Sequence, residues 1–153
     1  MRKSIISAVF AALICAGWMM AIPVGPIPIV LQNALAVLAG LLQGPLFGGL
    51  SVLLFLIAGA AGLPVFSGGS GGFAVFAGPT GGFLVGYLAA AVVGGLIMKL
   101  FRQEQRPLLA CGIIAVAGLL SFLSIYVFGL LWFKHALNLS WSHTFMKGFV
   151  PFI

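Results

Sequence analysis

The sequence predicts an all-α integral membrane protein, built as a single helical bundle over residues 1–153. Of its residues 63% are hydrophobic and 5% are charged, and the mean hydropathy is +1.29. About a quarter of the residues of a soluble domain are charged, so this chain has too few charges to cover a water-exposed surface. Apolar runs of helical length, separated by Gly- and Pro-rich segments, are the third observation that favours membrane helices.

The few charged residues exclude several kinds of function. Glu104 is the one acid of the sequence, so neither a catalytic carboxylate pair nor an acidic metal cage is available. The net charge of +6 comes from cations at the ends of apolar runs, which is typical of membrane topology and not of nucleic-acid binding. We therefore expect no enzymatic activity, no cofactor, no metal site and no nucleic-acid partner.

Five apolar segments are predicted to span the membrane, at about 4–22, 29–43, 46–62, 81–101 and 108–133. The first is longer than the apolar part of a signal peptide and lacks a clear cleavage site, so we expect it to be retained. Prolines at 23–28 and at Gly44-Pro45 remove backbone donors and force turns. The segment 63–80 has too many glycines for a regular helix and too many phenylalanines for a solvated linker, so we expect it to fold into a cavity between helices.

The cations predict the orientation of the chain. Five of them fall on one side of the predicted spans, namely Arg2, Lys3, Lys99, Arg102 and Arg106. The other side has Lys134 and Lys147. The positive-inside rule then predicts a multi-pass membrane protein with a cytoplasmic amino terminus. The irregular segments at 23–28 and 63–80 and the tail at 134–153 would face outward, where a solute arrives.

Polar residues within the apolar spans predict a binding pocket. Gln32 lies near the outer end of the second span, and Thr80 begins the fourth. Tyr87 follows Thr80 by about two helical turns on the same face, with Phe83 between them. Together with the 63–80 segment they would offer a few directed hydrogen bonds inside apolar walls, which suits a small, mostly apolar solute with a polar head. The alternative is that they only satisfy exposed backbone groups at helix ends.

Small residues repeat every four positions in the first span, at Ser4, Ala8, Ala12 and Ala16. Such a stripe lets another helix approach closely, because side-chain bulk is missing along the contact line. From spacing alone, that helix belongs either to this chain or to a separate subunit.

Two elements resemble a known family. Residues 26–33, Pro-Ile-Pro-Ile-Val-Leu-Gln-Asn, look like the family's P-x-P-(I/V)-T-L-Q element, with valine at Val30 where threonine is common. Residues 62–66, Gly-Leu-Pro-Val-Phe, followed by two glycines and by Gly-Pro-Thr-Gly-Gly-Phe-Leu-Val-Gly-Tyr at 78–87, are similar to its central signature. The family is the biotin-specific substrate-binding (S) component of energy-coupling-factor transporters, also called BioY.

The resemblance runs from about residue 5 to Ile153 and implies an S-component fold with a role in biotin uptake at the plasma membrane of a bacterium. It implies three kinds of partner: biotin, a transmembrane coupling subunit and two cytoplasmic ATPases. The coupling subunit would dock on the stripe at Ala8, Ala12 and Ala16. The substrate-binding residues that follow from the matched motifs and the predicted pocket are Gln32, Phe66, Gly71, Gly72, Thr80, Gly81, Phe83 and Tyr87.

The resemblance departs from the family at the end of the sequence. Members have six spans, and residues 149–153 look like the start of the sixth. The Pro-Gly-Asp and Lys that help hold the ureido head of biotin would follow Ile153, so we expect a six-span fold with its sixth span missing from this chain. Two other functions stay open: an S component for another vitamin, and a passive channel or structural membrane subunit. The channel is disfavoured because the first, third and fifth spans show no continuous polar stripe.

Overall fold

The computed structural model describes residues 2–22, 29–101 and 106–137. Its helices are α1 (Arg2–Ala16), α2 (Leu31–Ala60), α3 (Ala74–Ala77), α4 (Gly81–Leu100) and α5 (Pro107–Leu137). Single 3-10 turns occupy Gly17–Met19 and Ser67–Gly69. Two short strands, β1 (Ala21–Ile22) and β2 (Ile29–Val30), pair antiparallel on either side of the Pro-rich segment. Within the described ranges, four helical segments are long and apolar enough to cross a membrane: Arg2–Met19, Leu31–Ala60, Gly81–Leu100 and Pro107–Leu137. The predicted class, a helical membrane bundle, is confirmed.

Helix α2 breaks at Gly44 and folds back on itself. Gly44 has φ 82° and ψ 178°, a conformation that is essentially limited to glycine, and the following Pro45 has no N–H to donate. The resulting arms, 31–43 and 45–60, are about 20 Å and about 24 Å long at 1.5 Å per residue. The backbones of the two arms lie in close contact. A Cβ on Gly48 would lie only 2.6 Å from the carbonyl oxygen of Ala39. The two segments expected at 29–43 and 46–62 are thus the arms of one helical hairpin.

A buried polar cluster joins α1 to the turn of this hairpin. The hydroxyl of Ser7 is fully buried and lies 2.9 Å from Gln43 Oε1, 3.1 Å from the carbonyl oxygen of Phe47 and 3.2 Å from that of Lys3. It donates to one of these three acceptors at a time. Gln43 Nε2 donates to the hydroxyl of Ser51 at 3.0 Å. Polar groups at membrane depth need such partners, so the cluster fixes how α1 sits against α2.

Helix α4 lies between α2 and α5 and forms the centre of the bundle. A Cβ on Gly40 of α2 would collide with the backbone of Ala91 in α4. On the other side, a Cβ on Gly86 would lie 2.9 Å from Cα of Ile125 in α5. The lack of a side chain at Gly40 and at Gly86 therefore lets the backbones of α2, α4 and α5 approach closely, as is common in membrane bundles.

The two ends of the bundle are built differently. At the end that we call the amino-terminal end, Lys3, Gly44, Lys99 and Ala110 line one common cavity. The opposite end, which we call the loop end, holds the strand pair, the segment 61–80 and the last turns of α5. Because successive helices alternate in direction, the strand pair and the segment 61–80 lie at the same end of the bundle.

Two helix ends differ from the predictions. Helix α1 ends at Ala16 and not near Ile22, because the chain leaves the helix to pack Gly17 on Gln32 and to pair β1 with β2. Apolar runs of this length do not distinguish helix from extended chain. Helix α5 continues to Leu137, so Lys134 lies in its last turn and not in a tail, where a cation complements the helix dipole. The predicted turn at 23–28 and the tail beyond residue 137 lie outside the described residues.

Candidate ligand-binding site

A small cavity lies at the loop end, between the start of α2, the segment 61–80, α4 and α5. Its volume is about 30 Å³, comparable with the space of a single water molecule. The residues that line it are Val30, Gln32, Asn33, Phe66, Ser67, Thr80, Phe83, Leu84, Tyr87 and Tyr126. A few convergent polar groups inside apolar walls are typical of sites for small organic ligands. Any ligand much larger than water requires at least one wall to move.

Helix α4 provides one wall of the cavity. Thr80 precedes its first turn, and Phe83 and Tyr87 follow at the spacing that keeps all three on one face. Both rings are 5% exposed. Phe83 packs edge to face on Tyr126 of α5, with ring centroids 6.1 Å apart and planes at 89°, so this wall is held in place by helix-to-helix packing.

Gln32 occupies the start of α2 and is 1% exposed. Its Nε2 donates to the carbonyl oxygen of Ile14 in α1 at 2.9 Å and to that of Val65 in the loop segment at 2.7 Å. Two carbonyl acceptors fix which side of the amide carries the nitrogen. With both donors engaged, the amide oxygen is the group through which Gln32 can bind a ligand, as an acceptor.

Asn33 lies beside Gln32 and is oriented by α4. The hydroxyl of Tyr87 donates to Asn33 Oδ1 at 2.7 Å, and this contact is buried. The side-chain oxygen of Asn33 is therefore occupied, whereas its amide N–H groups are the natural donors for a ligand. Gln32 and Asn33 together present an acceptor and a donor at adjacent positions of one cavity.

Phe66 closes the cavity from the loop segment. It is 1% exposed and packs edge to face on Phe55 and on Phe76, with centroids 5.4 Å and 5.6 Å away. A Cβ on Gly59 would collide with the Phe66 ring, so a glycine at this position of α2 makes room for the ring. Among the aromatic rings that line the cavity, Phe66 is the one carried by a loop and not by a helix.

Backbone hydrogen bonds hold the loop segment on the end of α2. The amide of Gly72 donates to the carbonyl oxygen of Gly59 at 2.7 Å, and the amide of Leu63 donates to that of Ala58 at 3.2 Å. Gly72 has φ 98°, which an L-residue rarely adopts. A Cβ on Gly71 would collide with the carbonyl oxygen of Leu63. These two glycines are required by the path of the backbone.

The far end of the loop segment is anchored to α5. Trp132 Nε1 donates to the carbonyl oxygen of Gly78 at 2.9 Å. The same carbonyl accepts the amide of Gly81 at 3.1 Å where α4 begins. Gly81 also has no room for a side chain, because a Cβ would collide with the carbonyl oxygen of Phe76.

Comparison with known proteins identifies the family of this chain. A family model described as the BioY family matches residues 1–153. The chain belongs to the BioY family. It is 38% identical over 153 residues to the biotin transporter BioY of Thermotoga maritima, covering 100% of this chain and 86% of that protein. It is 36% identical over 146 residues to the probable biotin transporter BioY of Pyrococcus horikoshii, covering 95% of this chain and 82% of that protein.

A solved structure agrees with this BioY-family assignment. The fold matches, with a TM-score of 0.87 and 30% identity, a crystal structure of the S-component for biotin from an ECF-type ABC transporter. The match covers 99% of this chain and 81% of that one. The resemblance noted from the sequence is confirmed, and the chain is a transport protein and not an enzyme.

The structure brings five of the eight predicted site residues of this BioY-family chain to one cavity: Gln32, Phe66, Thr80, Phe83 and Tyr87. The other three, Gly71, Gly72 and Gly81, do not line the cavity. They shape the backbone around it. The alternative was that the polar residues only pair with exposed backbone groups at helix ends. It describes part of the role of Gln32, since its two N–H groups donate to backbone carbonyl oxygens.

Five lining residues were not among the predicted site residues: Val30, Asn33, Ser67, Leu84 and Tyr126. Of these, Ser67 lies in the segment 63–80 that was expected to fold into the cavity. Asn33 carried a usable signal, because it is a polar residue next to Gln32 at the start of an apolar span. Tyr126 lies in the middle of α5, and no local pattern indicates that it faces Phe83.

The small residues of α1 lie on an exposed face. Ala8, Ala12 and Ala16 are exposed, whereas Ser7 and Ile14 on the adjacent face are fully buried. Within the described part of the chain, the stripe is therefore not covered by another helix, which is what a docking surface requires.

Proposed function

We propose that this chain is the membrane-embedded binding subunit for biotin uptake. It captures biotin at the loop end and hands it to an ATP-driven energy-coupling module. The observation that carries the proposal is the loop-end cavity of a BioY-family chain, in which Gln32 and Asn33 lie side by side within apolar walls.

The chemistry of biotin suits these groups. Its ureido ring has N–H donors and a carbonyl acceptor, and the rest of the molecule is an apolar ring and chain that ends in a carboxylate. The acceptor of Gln32 and the donors of Asn33 complement the ureido group, while Phe66, Phe83 and Leu84 provide apolar contacts. A site built to hydrogen-bond a polar group rejects analogues that lack it, because its buried groups would otherwise be left unpaired.

Binding requires the cavity to enlarge, since about 30 Å³ is far too small for biotin. Phe66 is the wall that can withdraw, because it is carried by the loop segment while the other aromatic walls are fixed on helices. We infer that the structure represents a closed arrangement and that the segment 61–80 opens to admit the ligand.

The orientation and partners are part of the same proposal. The amino-terminal end, which carries Arg2, Lys3, Lys99 and Arg106, faces the cytoplasm of the cell by the positive-inside rule. The loop end then faces outward. A transmembrane coupling subunit docks on the exposed stripe at Ala8, Ala12 and Ala16 and connects the chain to two cytoplasmic ATPases.

Calorimetric titration of the purified protein with biotin tests the proposal. We expect saturable binding at one site, at least tenfold weaker binding in Asn33→Ala, and unchanged binding in the surface control Ala12→Leu. Riboflavin and thiamine should not compete. If the protein has an intact melting transition but binds another of these vitamins in preference to biotin, it is an S component for that vitamin. If it is folded and binds none of them, the proposal is wrong.

A further inference from the structure

Two side-chain amides at the start of α2 line the loop-end cavity, and both are held by groups from other segments. Gln32 donates from Nε2 to the carbonyl oxygens of Ile14 and Val65, at 2.9 Å and 2.7 Å. The hydroxyl of Tyr87 donates to Asn33 Oδ1 at 2.7 Å. Each amide therefore has one polar atom left for a ligand.

The remaining polar atoms, Gln32 Oε1 and Asn33 Nδ2, have no hydrogen-bond partner among the described residues. Within the same part of the chain, no fully buried side-chain nitrogen or oxygen lacks a partner. Both atoms therefore reach open space, and the space that their residues line is the cavity. An oxygen acceptor and an N–H donor thus lie at adjacent positions of its wall.

Gln32 helps to decide which way Asn33 faces. A tyrosine hydroxyl can donate or accept, so Tyr87 alone would hold the amide of Asn33 in either orientation. Gln32 cannot turn, because both of its partners are carbonyl oxygens. If Asn33 turned, its oxygen would join Gln32 Oε1 in a cavity of about 30 Å³, and two oxygens of like partial charge repel each other at such short range. The orientation in the structure places an N–H group there instead.

We propose that Tyr87 is a positioning residue that acts through Asn33 and makes the site select cyclic ureas over cyclic guanidines, which rests on the proposed binding of biotin. Donation to Oδ1 keeps Nδ2 directed at the ligand and strengthens its own donation, since linked hydrogen bonds polarise one another. The N–H group of Asn33 demands an acceptor, which the carbonyl oxygen of a urea supplies. A guanidinium group has donors only, and its charge would meet no acidic residue among the described lining residues.

Calorimetric titration with biotin and with its cyclic guanidine analogue, 2-iminobiotin, tests the inference at neutral pH. We expect the parent to prefer biotin by at least about 100-fold, because the guanidinium leaves donors and a charge unpaired. Tyr87→Phe keeps the ring and removes the hydroxyl. It should reduce the preference about fivefold, the effect of one ordinary hydrogen bond. The matched control Tyr126→Phe removes the hydroxyl of the other tyrosine that lines the cavity, and the preference should stay within about twofold of the parent.

Asn33→Asp is the stronger variant. The carboxylate has the shape of the amide and keeps the hydrogen bond from Tyr87, but it offers the ligand an oxygen in place of the N–H group. It should reverse the preference, so that 2-iminobiotin binds more tightly than biotin. If Asn33 and Tyr87 had only a structural role, both ligands would be weakened alike and their order would stay the same.

The orientation of Asn33 can also be measured without any ligand, by NMR of protein labelled isotopically at the side-chain nitrogen of asparagine. The sequence has two asparagines, Asn33 and Asn138, and the pair of amide signals that is lost in Asn33→Ala belongs to Asn33. This pair should shift in Tyr87→Phe, because its carbonyl loses a hydrogen bond, and should stay unchanged in Tyr126→Phe.

The outcomes separate this inference from the proposed function. If the parent binds biotin and both Tyr87→Phe and Asn33→Asp keep its preference over 2-iminobiotin, the inference is wrong and the proposed function stands. If the folded parent binds neither ligand, the proposed function is wrong, and the ligand preference with it. Unchanged Asn33 signals in Tyr87→Phe would show that the hydroxyl does not orient the amide, whichever ligand binds. Should Asn33→Asp fail to fold, the titration of Tyr87→Phe and the amide signals decide.

Discussion

The hydrogen bond between Trp132 and Gly78 offers a direct test of how the cavity is closed. Replacing Trp132 with phenylalanine removes the indole donor at 2.9 Å but retains the Cβ and Cγ atoms that pack on Gly82. Because the Gly78 carbonyl keeps its second partner, the amide of Gly81 at 3.1 Å, no buried acceptor is left unpaired. The loss is then one ordinary hydrogen bond, about 1 kcal/mol.

A loss of this size should shift the closed-to-open equilibrium of the loop segment about fivefold, since 1.4 kcal/mol corresponds to a factor of ten. Hydrogen exchange measures this shift at amides that are bonded in the closed segment, such as those of Gly69, Gly72 and Phe76. Their exchange should accelerate about fivefold in Trp132→Phe. On the proposed route through the opened segment, biotin dissociation should accelerate by a similar factor.

The amides of α1 from Ser7 to Ile14 serve as an internal control, and their exchange should not change. Faster exchange throughout all helices would mean that the substitution weakens the whole bundle. Exchange in the loop segment that stays within twofold of the parent protein would show that Trp132 does not hold it closed. Either result would contradict the proposed role of Trp132 in holding the segment closed.

Three other substitutions test two contacts within the bundle and the exposed face of α1. Gln32→Leu removes two hydrogen bonds and should lower the free energy of unfolding by about 1–3 kcal/mol, seen as a drop of several degrees in the melting temperature, together with loss of biotin binding. Gly40→Ala should prevent stable assembly of the bundle, because the new Cβ collides with the backbone of α4; size-exclusion chromatography would show aggregation. Ala12→Leu should abolish co-purification with the coupling subunit while leaving the melting temperature within about 2 °C of the parent.

Each of these has a control or a contrary outcome. Gly118→Ala is the matched control for Gly40→Ala, because a Cβ on Gly118 meets nothing within 4 Å and alanine favours helix; it should be neutral or slightly stabilising. If the Gln32→Leu protein has the melting temperature of the parent, the carbonyl oxygens of Ile14 and Val65 find other hydrogen-bond donors. Retained co-purification in Ala12→Leu would place the docking surface on another face.

The architecture was largely predictable because its causes are local. Hydropathy identified the helices, and the Gly44-Pro45 pair marked a turn since few residues adopt its backbone geometry. The spacing of Thr80, Phe83 and Tyr87 was sufficient to place them on one face, because helical periodicity needs no tertiary information.

The remaining features depend on contacts between distant segments. Helix α1 stops at Ala16 because of a strand pair formed with residues beyond the Pro-rich segment, and no window of apolar residues contains that information. Likewise Tyr126 joins the cavity through packing of α5 on α4. The glycines were recognised as important, but the motif did not distinguish a contact with ligand from a requirement of the backbone, and the structure shows the backbone requirement.

The hairpin of α2 also has a consequence for how the chain enters the bilayer. A glutamine carried alone into hydrocarbon by a short helix is costly, and an arm of about 20 Å is shorter than the roughly 30 Å apolar core of a bilayer. Gln43 has its partner Ser51 in the second arm, immediately across the Gly44 turn. The two arms can therefore insert together with this polar side chain already paired, before α1 arrives to add Ser7. We therefore expect the complete hairpin, and not a single arm, to be the smallest part of α2 that inserts into the membrane.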